Sequence, residues 1–378
     1  MADLGTGPDI TRRILEELDR TFKRLANTAE LVAKPVDPAV GLTPRALIYR
    51  RNKSRLYHYP VQGGAPYPIP VLFVPNLGIS RPYIFDLAPG SSFIEYMVKS
   101  GFNFYLLDWG VFGEEDNRLR VDDCVIEILP RVIRRVLRHA GAPGLSLLGY
   151  CMGAPLSACT AALHPQEPIR NFVNMAGPFD FAKAGLFARW MDKRVFDVDR
   201  LIDTYGAMPA EMVRLGFKLL KPTMDFSTLT NLWWNAWNDR YVAGFRALNT
   251  WANDYVPLPG EFFRQWVKDF YQDNKLIRGE LMFGGRRVDL AKIRCPLLVV
   301  GAREDNICPP GLCPGPHGGG LQHGEGIRGA TGGAHLPSGR SAGGQQSLAP
   351  GEPVAGPALP GLAGDRTRGR TLGQYWAG

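Results

Sequence analysis

The residues best placed to do chemistry are Gly149-Tyr150-Cys151-Met152-Gly153. An apolar run at 145–148 leads straight into them, and a helix-compatible stretch at 155–163 follows. A sharp strand-to-helix turn with glycines two positions to either side of its central residue is a nucleophile elbow, here carrying Cys in place of Ser. Such a turn holds its nucleophile in a strained backbone conformation, and the glycines let strand and helix approach. At the helix N-terminus the sulfur of Cys151 meets unpaired N–H groups and the positive end of the dipole, which favour thiolate. The chemistry implied is acyl transfer through a thioester. The Met152 N–H points toward the developing oxyanion, and a second donor is expected after Val71-Leu72-Phe73-Val74, where Asn76 or Leu77 is the candidate. The competing reading is a chance Gly-x-Cys-x-Gly around an ordinary buried thiol; the setting between a buried strand and a helix favours the elbow.

A second chemical element is Val299-Val300-Gly301-Ala302-Arg303-Glu304-Asp305-Asn306-Ile307-Cys308-Pro309-Pro310. A late strand ending in a loop acid, followed by an apolar residue and prolines, is where a nucleophile-acid-His triad in this chain order takes its acid. Asp305 is preferred over Glu304; the bland alternative is a solvated loop carboxylate.

These residues need a scaffold. Short apolar runs at 71–74, 104–107, 145–148 and 297–300 alternate with helical patterns and fit buried parallel strands. The expected class is α/β, an α/β-hydrolase fold with a mostly parallel sheet and a helical cap insertion. Val125, Ile128, Leu129, Val132, Ile133, Val136 and Leu137 repeat as one helix face against the sheet. The other face carries Arg131, Arg134, Arg135 and Arg138, read as solvated surface. Residues 178–280 break the strand rhythm with helical, Trp-rich sequence and are expected to form the cap, their aromatics serving as its core. An amphipathic N-terminal helix is expected within 1–35 and the catalytic domain over 36–310. A Gly- and Pro-rich tail, expected to be disordered, occupies 311–378.

Of the 378 residues 45% are apolar, enough for a sizeable core. No apolar run reaches the ~18 residues of a membrane span, and the N-terminus lacks the basic-then-apolar layout of a secretory signal. A cytoplasmic address is the expectation. The six cysteines have no zinc-site spacing, so no metal is expected and the thiols should be reduced. A net charge of +8 suits an acidic partner such as CoA phosphates, but no run of Lys or Arg marks a nucleic-acid stripe.

With these residues in hand the chain resembles the polyhydroxyalkanoate synthases, in the short catalytic-subunit (class III) type. The resemblance lies in Gly41-Leu42-Thr43-Pro44-Arg45, Arg55-Leu56-Tyr57, Arg81-Pro82-Tyr83-Ile84-Phe85-Asp86-Leu87, Leu106-Leu107-Asp108-Trp109-Gly110 and Asn174-Met175-Ala176-Gly177-Pro178-Phe179-Asp180-Phe181, and covers about residues 10–310. It implies polymerisation of 3-hydroxyacyl-CoA into storage polyester with release of CoA and no cofactor. Cys151 would carry the growing chain, Asp305 would assist the incoming hydroxyl, and a His would serve as base for the thiol. It also implies a second, non-catalytic subunit, a polyester granule surface as a partner, and room for a homo-oligomer. Met152 and Ala154 stand where many relatives have a polar residue and a second Gly. A thiol-dependent esterase or thioesterase, and a catalytically dead subunit that has lost its His loop, are the alternatives.

The family pattern stops at about Pro310. Of the last 68 residues 20 are Gly and 7 are Pro, and none is Lys. Such composition buries too little surface to offset ordering entropy. Permitted codons for 311–339, shifted by one nucleotide, spell a helix, a strand and a family-like Gly-Gly-His loop, so a reading-frame slip is inferred. Resequencing the gene tests this, because an intact frame in independent isolates refutes it. His335 falls within one position of the shifted catalytic His, and its neighbours specify no strand, so it reads as a remnant more than a working base. His58, His139, His164, His317 and His323 have no motif context.

Overall fold

Short strand-forming runs make one sheet. Those at 71–74, 104–107 and 145–148 are buried as expected. The run at 297–300, also expected to be a buried strand, forms the sheet edge and leaves Leu298 and Val300 exposed, because no further strand covers that side among the described residues. In the computed structural model, which describes residues 7–33, 38–220, 224–302, 305, 307 and 308, these strands are β1 (Ala46–Arg51), β2 (Ser54–Tyr59), β3 (Val71–Val74), β4 (Phe104–Asp108), β5 (Leu145–Tyr150), β6 (Ile169–Met175) and β7 (Leu297–Val300). Their order is β1-β2-β4-β3-β5-β6-β7. Strands β3 to β7 run parallel, and β2 runs antiparallel to both β1 and β4. From β3 the chain steps to β4 on one side, then crosses back to β5 on the other. Loops leaving β3 and β5 therefore diverge and open a crevice at the carboxyl edge.

Register decides what meets there. Val74 lies opposite Gly149, Tyr150 opposite Met175, and Met175 opposite Val300. Cys151, Ala176 and Gly301 thus leave the sheet at one level, with Pro75 one residue before it, beside Tyr150.

Helix α1 (Gly7–Ala33) is amphipathic, with Ile14, Leu15, Leu18, Phe22 and Leu25 all exposed. Helices α2 (Phe93–Lys99), α3 (Leu129–Ala140) and α4 (Gly153–Leu163) lie between the strands in sequence. All of α4 is buried, its small and apolar residues packing on every side and its buried Thr160 hydroxyl donating to Leu156 O. Periodicity predicts one continuous helix from Val125; instead a π-helical turn, Asp123–Ile128, precedes α3. Pro130 has no N–H to bond the carbonyl four residues back, and the Leu129 N–H bonds Cys124 O, five back, which widens the turn. The arginine face of α3 is more engaged than a purely solvated surface. Arg131 pairs with Glu127 at 3.2 Å, Arg134 with the buried Glu167 at 2.7 Å, and Arg135 stacks over Tyr49.

Between β6 and β7 the chain is mainly helical: α5 (Gly185–Trp190), α6 (Val198–Tyr205), α7 (Ala210–Leu220), α8 (Met224–Asn235), α9 (Asp239–Asn253) and α10 (Gly260–Gln265), then a second π-helical turn, Trp266–Gln272. Two short ladders join this region, Ile79–Ser80 with Tyr255–Val256 and Ala207–Met208 with Leu258–Pro259. Among the described residues no helix is long and apolar enough to cross a membrane.

On β2, His58 stacks on Tyr105 at 4.7 Å, and its Nε2 lies 2.7 Å from Asn103 Oδ1. Burial is the main reason its pKa lies below the ordinary value; the nearby His139 lowers it further, and the Asn103 bond opposes both. The unfolded chain accepts a proton near pH ~6.5, where the folded chain still resists. His58 therefore contributes stability above that value that is lost as pH falls through the lower folded pKa. Urea titrations from about pH 7 to about pH 5 should show stability falling, with a shallower fall in His58→Gln. An unchanged slope in the variant would contradict this.

Candidate active site

Cys151 sits at the elbow with φ 51°, a left-handed conformation uncommon outside glycine. Two bonds hold it there: its N–H donates to Met175 O at 3.0 Å, and its carbonyl accepts from Ala154 N–H at 3.0 Å. The side chain is partly exposed. Glycine is demanded on three sides. A Cβ on Gly149 would strike the Ala154 backbone, one on Gly153 would lie 2.5 Å from Pro75 O and nearer still to Val74 O, and one on Gly177 would strike Ala154 Cβ. Asn174 closes the loop after β6 with both arms of its amide: Oδ1 accepts from Gly177 N–H at 2.9 Å and Nδ2 donates to Gly177 O at 3.2 Å.

Met152 occupies the N-cap position of α4, so by construction the first amides of the helix have no carbonyl four residues back to bond. The close packing of Gly153 on Val74 and Pro75 brings the loop 75–78 beside them. Asn76 is buried and its side-chain amide is committed to the loop, donating to Gly78 O at 2.6 Å. Trp109 anchors the same loop by donating from Nε1 to Pro75 O at 3.1 Å. Leu77, the other candidate, has a fully buried side chain.

After β7, Asp305 is held by its own turn. Its N–H donates to Ala302 O at 3.3 Å, and its Oδ1 accepts from Ile307 N–H at 2.8 Å and Cys308 N–H at 2.9 Å. Cys308 is buried against Ala176, Ala184, Tyr271 and Val299. Burial raises the hydroxyl pKa of Tyr150, and Cys151, Asp305 and Cys308 raise it further. Tyr271 is raised in the same way, by burial first and then by Cys151 and Cys308. Both phenols thus stay protonated at neutral pH, as donors in the surroundings of the Cys151 sulfur.

Tyr271 is aimed by an aromatic cluster. Phe181 packs edge-on against Tyr271 at 4.9 Å and against Trp266 and Phe270, which stack on each other at 4.2 Å. Asn274 ties the segment to the loop after β6, accepting from Phe181 N–H at 3.0 Å and donating to Asp180 at 2.8 Å. Tyr271 also lines a recess of about 580 Å³ whose other walls include Lys183, Arg189, Asp192, Lys193 and Arg194.

Cys151, Met152, Asn76 and Asp305 therefore lie on loops of one sheet edge. His335 lies outside the described residues, as does the inferred frame-shifted tail. His164 caps the far end of the 11-residue α4, roughly 16 Å from the elbow, and His58 and His139 surround Tyr105. Tyr150, Tyr271 and Cys308 escaped assignment from sequence. Tyr150 and Cys308 stand inside the motifs already quoted, whereas Tyr271 reaches the site only through packing. Cys124 and Cys159 are buried, and desolvation pushes both thiols up, which leaves them inert.

This topology and elbow define the α/β-hydrolase class, and the sequence model of that fold matches residues 70–318. Within the class the chain belongs to the poly(3-hydroxyalkanoate) polymerase family, whose members are polymer-forming acyltransferases. It is 34% identical to the poly(3-hydroxyalkanoate) polymerase subunit PhaC of Allochromatium vinosum, covering 82% of this chain and 86% of that one. It is 33% identical to that of Synechocystis sp., covering 78% and 79%, and 34% identical to that of Haloferax mediterranei, covering 80% of this chain and 61% of the longer relative.

Proposed function

We propose that the chain polymerises 3-hydroxyacyl groups from CoA thioesters through a thioester on Cys151. The carrying observation is the left-handed elbow that presents Cys151 where the strands β3, β5, β6 and β7 end. In this reading the thiolate adds to the thioester carbonyl, and the oxyanion is held by the N–H groups of Met152 and Asn76. The C–S bond to CoA breaks and the CoA thiolate takes up the proton removed from Cys151. A 3-hydroxyl then attacks the enzyme thioester, its proton passing to a base as the new ester forms and the Cys151 thiolate is released. Exchange of one thioester for another is nearly isoenergetic, which keeps the acyl group activated. Asp305 is assigned to the incoming hydroxyl and a histidine to the base; the tail offers His335, which its sequence context marks as a remnant more than a working base. The reading needs no metal or cofactor.

The designation of the relatives as polymerase subunits supports a second, non-catalytic subunit, and we extend the reading to a cytoplasmic protein at polyester granules. Incubation with 3-hydroxybutyryl-CoA tests the activity: CoA release with polymer is expected, whereas free hydroxy acid alone, or no turnover, overturns it. Asp305→Asn retains an oxygen to accept from Ile307 and Cys308 but loses the charge. It should slow polymer formation by ~10²–10⁴-fold and shift urea stability by less than ~1 kcal/mol.

A further inference from the structure

The recess beside Tyr271 is concave and basic. Lys183, Arg189, Lys193 and Arg194 line it against one carboxylate, Asp192. Arg194 forks onto Asp192 at 2.6 and 2.9 Å, which holds that carboxyl down at about 2, and Lys183 pairs with Asp180 at 2.9 Å. Among the described residues no carboxylate forms an ion pair with Arg189 or Lys193. Cations gathered in a concavity focus a positive field that one multiply charged anion can relieve. An arginine fork suits phosphate oxygens, and a lysine adds a mobile point charge. The recess, about 580 Å³, is open to solvent, and Arg189, Lys193 and Arg194 are exposed on its walls. Tyr271 forms part of this recess and also packs beside Cys308 and within the electrostatic reach of Cys151.

We propose that this recess seats the phosphates of the CoA nucleotide, with Arg189 and Lys193 as the residues that hold them. The inference rests on the reading that the acyl donor is a CoA thioester. The nucleotide stays on the basic side of Tyr271, and the flexible pantetheine arm carries the thioester past that ring to the sulfur. The substrate is thus recognised at two separated points, phosphate at the recess and carbonyl at the elbow. Lys183 and Arg194, each already paired with a carboxylate, shape the field rather than grip the ligand.

Equilibrium binding to the full chain tests this without requiring turnover. CoA should bind at least about ten-fold more tightly than pantetheine, which lacks the nucleotide. The double variant R189A/K193A should bind pantetheine as the parent does and lose most of the preference for CoA, and R189Q/K193Q should do the same while keeping the bulk of the side chains. Raising salt from about 50 to about 300 mM should weaken CoA binding and leave pantetheine binding unchanged. ADP should compete with CoA if the phosphates carry the contact. Equal affinity for CoA and pantetheine, no CoA binding, or a preference that survives both double variants overturns the proposal. Polymer formation is read separately, so a chain that binds CoA through the recess and makes no polymer counts against the proposed activity and not against this site.

Discussion

Cys151→Ala should lower CoA release from 3-hydroxybutyryl-CoA by about 10⁴-fold or more, the loss expected when a covalent nucleophile is removed. The oxyanion donors are main-chain groups that survive the substitution, so any residual rate comes from them and from binding alone. Because Cys308 shares Tyr150 and Tyr271 as neighbours with Cys151, the loss must be assigned to one sulfur. Intact-mass measurement of quenched reactions does so: the acyl adduct should be present in the parent and in Cys308→Ala, and absent from Cys151→Ala. Equal turnover with and without the Cys151 thiol, or an adduct that disappears only with Cys308, would sink the elbow mechanism.

Gly153→Ala should destabilise the fold by more than ~3 kcal/mol or prevent folding altogether. The added methyl meets the carbonyls of Val74 and Pro75, main-chain atoms of the central strand and the oxyanion loop. No rotamer change relieves such a clash, so the sheet and α4 must separate. Gly216 in α7 is the contrast, since a Cβ there meets nothing within 4 Å. Gly216→Ala should raise stability by ~0.5–1 kcal/mol through helix propensity. Urea midpoints of the two variants separate a demand for space from a general intolerance of alanine, and a Gly153→Ala chain as stable as its parent would refute the packing argument.

The strands at 71–74, 104–107 and 145–148 were legible because burial on both faces leaves an unbroken apolar signature. The edge strand at 297–300 carries the same signature with Leu298 and Val300 exposed, so an apolar run alone does not separate a central strand from an edge one. At the elbow, the glycines at 149 and 153 answer a steric demand that only glycine meets. Other features leave no such trace. Asp86 is a buried hub that accepts from Thr43 N–H and Oγ1 and from Ser92 Oγ, which ties the segments 41–45 and 81–87 together. A single carboxylate in a sequence does not disclose a partner 43 residues away. The π-helical turns were equally hidden, since apolar periodicity over six or seven residues does not separate a wide turn from an ordinary one. Tyr271 comes to the sulfur by way of Phe181, Trp266 and Asn274, contacts that exist only once the chain between β6 and β7 has packed.

The wide turn at Trp266–Gln272 bears on which changes in chain length this protein can absorb. A wide turn holds more residues than an ordinary helical turn, so deleting one from Trp266–Gln272 would rewind it and shift the side chains it carries, Tyr271 among them. Tyr271 would leave the sulfur, and Asn274 would lose its hold on Asp180 and Phe181. A change of length within this seven-residue segment is therefore expected to disturb the site more than a substitution on its outer face.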